Sequence, residues 1–125
     1  MATENLSVKD AIRSIPELES SILDRQAYDK VRRTYRAELR VINNGETRRF
    51  ELRCEGVERY EHRVERHIDY GPDSYVDVTE VYHEPVPNGL TLVSLEIWDE
   101  AEWIEVVCES FEVKALAGLA PDQAI

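Results

Sequence analysis

Apolar residues recur at every second position from Tyr35 onward: Tyr35, Ala37 and Leu39 precede Asn44-Gly45, and Phe50, Leu52 and Cys54 follow it. Period two is the mark of a half-buried strand, and Asn-Gly between two such runs marks a hairpin, because both residues accept a positive φ. A two-residue turn there sets Leu39 opposite Phe50, Ala37 opposite Leu52 and Tyr35 opposite Cys54. The other face then holds Arg36, Glu38, Arg40, Arg49, Glu51 and Arg53. Arg40 facing Arg49 is unfavourable, but diagonal neighbours have opposite sign, so a solvated charged face is expected.

A second alternating run, Val57 to Tyr70, is followed by the turn-forming Gly71-Pro72-Asp73-Ser74 and by a return over Tyr75 to Glu84. A four-residue turn places His62 opposite His83. Pro85-Val86-Pro87-Asn88-Gly89 is read as the loop that ends this hairpin. A third hairpin joins Leu90–Trp98 to Trp103–Val113 through Asp99-Glu100-Ala101-Glu102, in a register that pairs Trp98 with Trp103. One of its faces, Val93, Leu95, Ile97, Ile104, Val106 and Cys108, is core. The other mixes Trp98, Trp103, Leu92, Val107 and Phe111 with Glu96, Glu105 and Glu109.

Upstream the period changes. Ser7 with Asp10 resembles a capping box, and Val8, Ile12 and Ile15 fall on one helical face. Pro16 interrupts that helix or starts a second, in which Leu18, Ile22 and Leu23 continue the stripe to about Asp24. Residues 25–34 suit either the end of a helix or the lead into a strand. The expected architecture is α+β: an N-terminal helix or helix pair packed on an antiparallel sheet of about six strands arranged as hairpins. One domain over 1–125 is expected, with 1–6 and 115–125 frayed.

The chain has 125 residues, 42% of them hydrophobic and 33% charged, and a net charge of −11. That length buries a core without disulfides or a structural metal, and that apolar content excludes intrinsic disorder. Met1-Ala2-Thr3-Glu4 opens no signal-peptide core, and no window approaches the roughly twenty apolar residues of a membrane span, so a cytoplasmic protein is expected. Cys54 and Cys108 each lie in an alternating run, away from any CxxC or adjacent His, and read as buried free thiols.

Charge changes the picture most. Residues 67–113 contain no Lys or Arg and twelve acids, whereas residues 25–66 hold twelve Lys and Arg against eight acids. A field of that sign repels nucleic acid and attracts cationic surfaces. The basic cluster Arg25, Lys30, Arg32, Arg33 and Arg36 is expected to pair with the chain's own acidic hairpins.

Catalytic motifs are missing: the five glycines form no Walker, dinucleotide or GxSxG pattern, and no HExxH or calcium loop occurs. Neither a cofactor nor a catalytic group is expected. His62 and His83 are weak metal candidates, since the register leaves only two His and a neighbouring carboxylate. Asp69, Asp73 and Asp77 lack calcium-loop spacing. The mixed aromatic and acidic face is either the rim of a core on which the N-terminal helix packs or a contact surface of Trp98, Trp103, Glu96, Asp99, Glu100, Glu102 and Glu105, whose aromatic anchors and carboxylates select a basic partner.

At Glu96-Ile97-Trp98 and Cys108-Glu109-Ser110-Phe111-Glu112-Val113, over its last quarter, the chain resembles small acidic β-rich immunity proteins of bacterial polymorphic toxin systems. The resemblance implies a non-catalytic inhibitor that blocks one cognate toxin, often a nuclease with a cationic active site, and carries over no motif residue by residue. Two rivals remain: a small metal- or ligand-binding enzyme using the His62/His83 hairpin, and a homodimer subunit that buries the tryptophan face.

Overall fold

The computed structural model describes residues 13–65, 76–98 and 101–116. The described chain forms nine strands: β1 (Arg13–Ser14), β2 (Ser21–Asp29), β3 (Thr34–Asn43), β4 (Glu46–Glu55), β5 (Arg59–Val64), β6 (Asp77–Val86), β7 (Leu90–Ile97), β8 (Glu102–Cys108) and β9 (Ser110–Ala115). They make one antiparallel sheet in the order β5-β8-β7-β6-β2-β3-β4-β9, with β1 also on β6. The expected α+β class is therefore corrected to all-β, with nine strands instead of about six.

Ile15, Leu18 and Ile22 have helical spacing, but the structure spends that spacing on a bulge. β1 and β2 run along the same edge of β6, and a single 3-10 turn, Pro16–Leu18, loops out between them. The turn drives Leu18 and Ile15 into the core, and the buried Ser21 hydroxyl donates to the Leu18 carbonyl at 2.8 Å. Residues 25–29 continue β2, and Asp29 caps the following turn by accepting from the Val31 and Arg32 amides. Val8 and Ile12 lie outside the described residues.

β3 and β4 pair as the Asn44-Gly45 turn requires, with Leu39 opposite Phe50, Ala37 opposite Leu52 and Tyr35 opposite Cys54. Beyond Cys54 the strand changes partners. Gly56 has φ +65°, a Cβ there would run into the Glu109 side chain, and β4 continues as β5 across this residue. Glu109 makes the matching corner between β8 and β9, its amide donating to the carbonyls of Glu55 and Gly56 at 3.0 and 3.1 Å. Because β4–β5 pairs with β9–β8 along its length, the ends of the sheet are joined by chain continuity and the sheet closes on itself.

The result is two halves facing each other over one core: β2-β3-β4-β9, and β6-β7-β8-β5 with β1. They meet along a narrow seam where Ser21 and Ile22 pair with Val78 and Asp77. Tyr60 of β5 stacks on Tyr28 at 4.7 Å and meets Tyr35 at 5.6 Å, while His83 of β6 lies 4.8 Å from Phe111 of β9. Leu39, Leu52, Val81, Leu95, Ile97, Ile104 and Val106 fill the space between, each at most 1% exposed. The whole expected core face of the third hairpin is buried.

Among the described residues the second expected hairpin does not form. β5 pairs with β8, and β6 with β7, β1 and β2, so His62 faces Ile104 while His83 faces Val93 and Arg13. The turn at 71–74 lies outside the described residues. Pro85 lies within β6 opposite Thr91 of β7, so the expected loop at 85–89 begins later, at the 3-10 turn Pro87–Gly89. Near the C-terminus Ala115 pairs with Phe50, and the Leu116 amide donates to the Arg49 carbonyl at 2.8 Å. Among the described residues no helix is long and apolar enough to cross a membrane.

Candidate functional site

Alternation along four neighbouring strands decides which side chains share the outer face of the second half. The registers align Glu84, Leu92, Val107 and Arg59 in one row across the strands. A second row holds Tyr82, Ser94, Glu105 and Glu61. The third holds Glu80, Glu96, Trp103 and Arg63. Between Tyr82, Glu84, Leu92, Glu96, Trp103 and Glu105 lies a shallow concavity of about 430 Å³.

Its chemistry is anionic and aromatic. Glu80 and Glu96 sit directly opposite across β6 and β7, an arrangement that is destabilising for like charges. The Tyr82 hydroxyl donates to Glu80 and stands 3.1 Å from Glu96, so two carboxylates draw on one proton. The hydrogen bond to Glu80, burial and the charge and bonding of Glu96 all push the Tyr82 phenol well above its ordinary value, which keeps it a donor. Glu96 is only 4% exposed.

One cation already occupies part of this face. Arg63 reaches from the edge strand, its Nη2 3.3 Å from Glu105 and its guanidinium carbon 5.7 Å from the centre of the Trp103 ring. Trp103 and Glu105 together thus form a seat of the right shape for a guanidinium group.

Of the residues expected to form the contact, Glu96, Trp103 and Glu105 come together here. Trp98 does not: it follows β7 with φ +53° and packs against the core. Glu102 is also separate. It lies on the core-facing side, 9% exposed, with its Oε1 2.9 Å from His62 Nε2. Asp99 and Glu100 lie outside the described residues.

Sequence reasoning missed Glu80, Tyr82, Glu84 and Arg63, although the spacing Glu80-x-Tyr82-x-Glu84 already placed the first three on one face of a strand. The expected meeting of His62 and His83 is corrected, since His62 faces Ile104 and His83 faces Val93, and the described residues contain no group of three His, Cys, Asp or Glu able to hold an ion. His83 packs on Phe111, and burial followed by the charge of Arg13 lowers its pKa from the usual 6.5.

The outer face of the first half is different. Arg40 forks onto Asp24 (2.9 to 3.2 Å), Arg49 meets Glu38 at 3.2 Å, Arg53 meets Glu55 at 2.7 Å, and Arg36 meets Glu51 at 3.7 Å. Among the described residues these arginines pair with acids of their own half, and the expected pairing with the late acidic hairpins is seen between Arg33 and Glu109 at 3.7 Å.

Neither protein-family models nor curated protein sequences give a match to this chain. Among solved structures, the crystal structure of an uncharacterized protein from Neisseria gonorrhoeae is similar, with a TM-score of 0.63 and 11% sequence identity over 84% of this chain and 98% of that one. The likeness extends to the fold alone.

Proposed function

We propose that this chain is a non-catalytic binding protein that holds a basic protein segment on the outer face of β6, β7 and β8, acting in the cytoplasm as an inhibitor of a cationic, nucleic-acid-binding target of the nuclease-toxin type. The observation that carries this reading is the grouping of Glu80, Glu84, Glu96 and Glu105 around Tyr82 and Trp103, beside a guanidinium already seated on Trp103 and Glu105. A partner's Arg or Lys has matching places on the same surface, in competition with Arg63 or next to it. A face that is open, shallow and spread over three strands suits a protein surface better than a small molecule, which calls for an enclosed cleft. The net charge of −11 steers a cationic partner toward it and repels nucleic acid.

The test is calorimetric titration of the full chain with an oligo-arginine peptide at low and high salt. Binding should weaken as salt rises, and Glu105→Gln and Trp103→Ala should each weaken it about tenfold. Glu112→Gln, on the opposite half, should leave it unchanged. No binding at low salt, or binding indifferent to both Glu105→Gln and Trp103→Ala, overturns the reading.

A further inference from the structure

Cys54 and Cys108, far apart in sequence, are buried free thiols as expected, and the closure of the sheet brings them together. Cys54 ends the inward row of β4, opposite Phe111, and Cys108 ends the inward row of β8, opposite Thr91. Both lie immediately before the corners at which their strands cross from one half to the other. The residues that follow them are bonded to each other, Glu109 N donating to the Glu55 carbonyl at 3.0 Å. Both residues are free cysteines, 0% exposed, and lie in the same core cluster.

We propose that Cys54 and Cys108 are an oxidisable pair that hydrogen peroxide closes to an intramolecular disulfide, stapling the two halves of the sheet at the strand crossing. Peroxide is small and neutral enough to reach a buried thiol when the strand end opens locally. The Cys108 thiolate attacks one peroxide oxygen, the O–O bond breaks, and Cys108 becomes a sulfenic acid with hydroxide leaving. The Cys54 sulfur then attacks the sulfenic sulfur. Its proton leaves with the displaced hydroxyl as water, so two thiols and one peroxide give one disulfide and two waters. The order follows from surroundings: the neighbouring Cys54 thiol and the Ser110 amide favour the thiolate at Cys108 against its burial, whereas the neighbouring Cys108 thiol and burial disfavour it at Cys54. This inference is independent of the acidic face.

The full chain, reduced and then treated with peroxide, is quenched, unfolded in iodoacetamide and weighed. The expected product has lost two hydrogens, takes up no alkyl group, yields a peptide linking Cys54 to Cys108, and melts roughly 10 °C higher than the reduced chain, because the cross-link closes a long loop of the unfolded state. In Cys54→Ala, Cys108 should stop at the sulfenic acid and be trapped by dimedone. Two alkylated thiols after treatment, oxygen added without a cross-link in the unsubstituted chain, or a disulfide between two chains overturns the proposal. The measurement on the unsubstituted chain decides the matter even if a variant fails to fold.

Discussion

On the outer face of β2, β3, β4 and β9 the arginines find carboxylates of their own half nearby, whereas on β6, β7 and β8 the acids meet one another. Arg40 opposite Arg49 and Arg36 opposite Arg53 are like-charge pairs, as Glu80 opposite Glu96 is. The difference lies in the neighbours. Asp24, Glu38, Glu51 and Glu55 compensate the arginine pairs, while Arg63 and Arg59 face Glu61, Glu80, Glu84, Glu96 and Glu105. A self-neutralised face stabilises the fold modestly and attracts little. A face on which acids outnumber bases projects a field, which is the signature expected of a binding surface.

Substitutions can break or sharpen this contrast. The largest effect is expected at the corner that holds both faces on one core: Gly56→Val puts a β-branched residue at φ +65° and against Glu109, and should cost about 2–3 kcal/mol in a denaturant titration. On the neutralised face, Arg40→Ala removes a forked pair with Asp24 and should cost about 0.5–1 kcal/mol, an effect diminished by salt. On the anionic face the sign should reverse. Glu80→Gln keeps an acceptor for Tyr82 but relieves the repulsion across to Glu96, so it should stabilise the chain by about 0.5 kcal/mol while weakening its hold on a cationic peptide. If Glu80→Gln destabilises, the carboxylate belongs to the fold and the contrast fails.

The smallest effect concerns pH. His83 has a folded-state pKa below its ordinary 6.5, so on acidification the unfolded chain takes up this proton first. Its contribution is fully present above pH 6.5 and is lost as pH falls through the lowered value. His83→Gln should flatten that part of the stability profile measured between pH 5 and pH 7 (about one unit either side of the transition).

Local pattern made part of this legible. Asn44-Gly45 set the β3–β4 register residue for residue, and strict alternation picked out the buried face of β7 and β8. The expected pairing of Trp98 with Trp103 is two residues from the observed Glu96–Trp103 pair, and a shift of two preserves which side chains point inward. The same alternation places Glu102 with Ile104 and Val106 on the inner side. Trp98 departs because the chain turns at positive φ there.

Elsewhere the decisive contacts are distant in sequence. Nothing near Arg59–Val64 indicates that its partner is β8 and not the next run of alternating residues. Ile15, Leu18 and Ile22 satisfy a helical stripe and a bulged strand equally well, and only the pairing of β1 and β2 with β6 selects the second. The same long-range pairing of β5 with β8 brings Arg59 and Arg63 to the acidic face, and the closure of the sheet brings Cys54 and Cys108 together.

The central claim is that the outer face of β6, β7 and β8 receives cations. Backbone amide and Trp indole shifts recorded while an arginine-rich peptide is added test it residue by residue. The account predicts salt-sensitive changes confined to Glu80–Glu84, Leu92–Glu96 and Trp103–Val107, with the Trp103 indole among the largest. Changes centred instead on Arg36, Glu38, Glu51 and Arg53, or spread evenly over both faces, would contradict it.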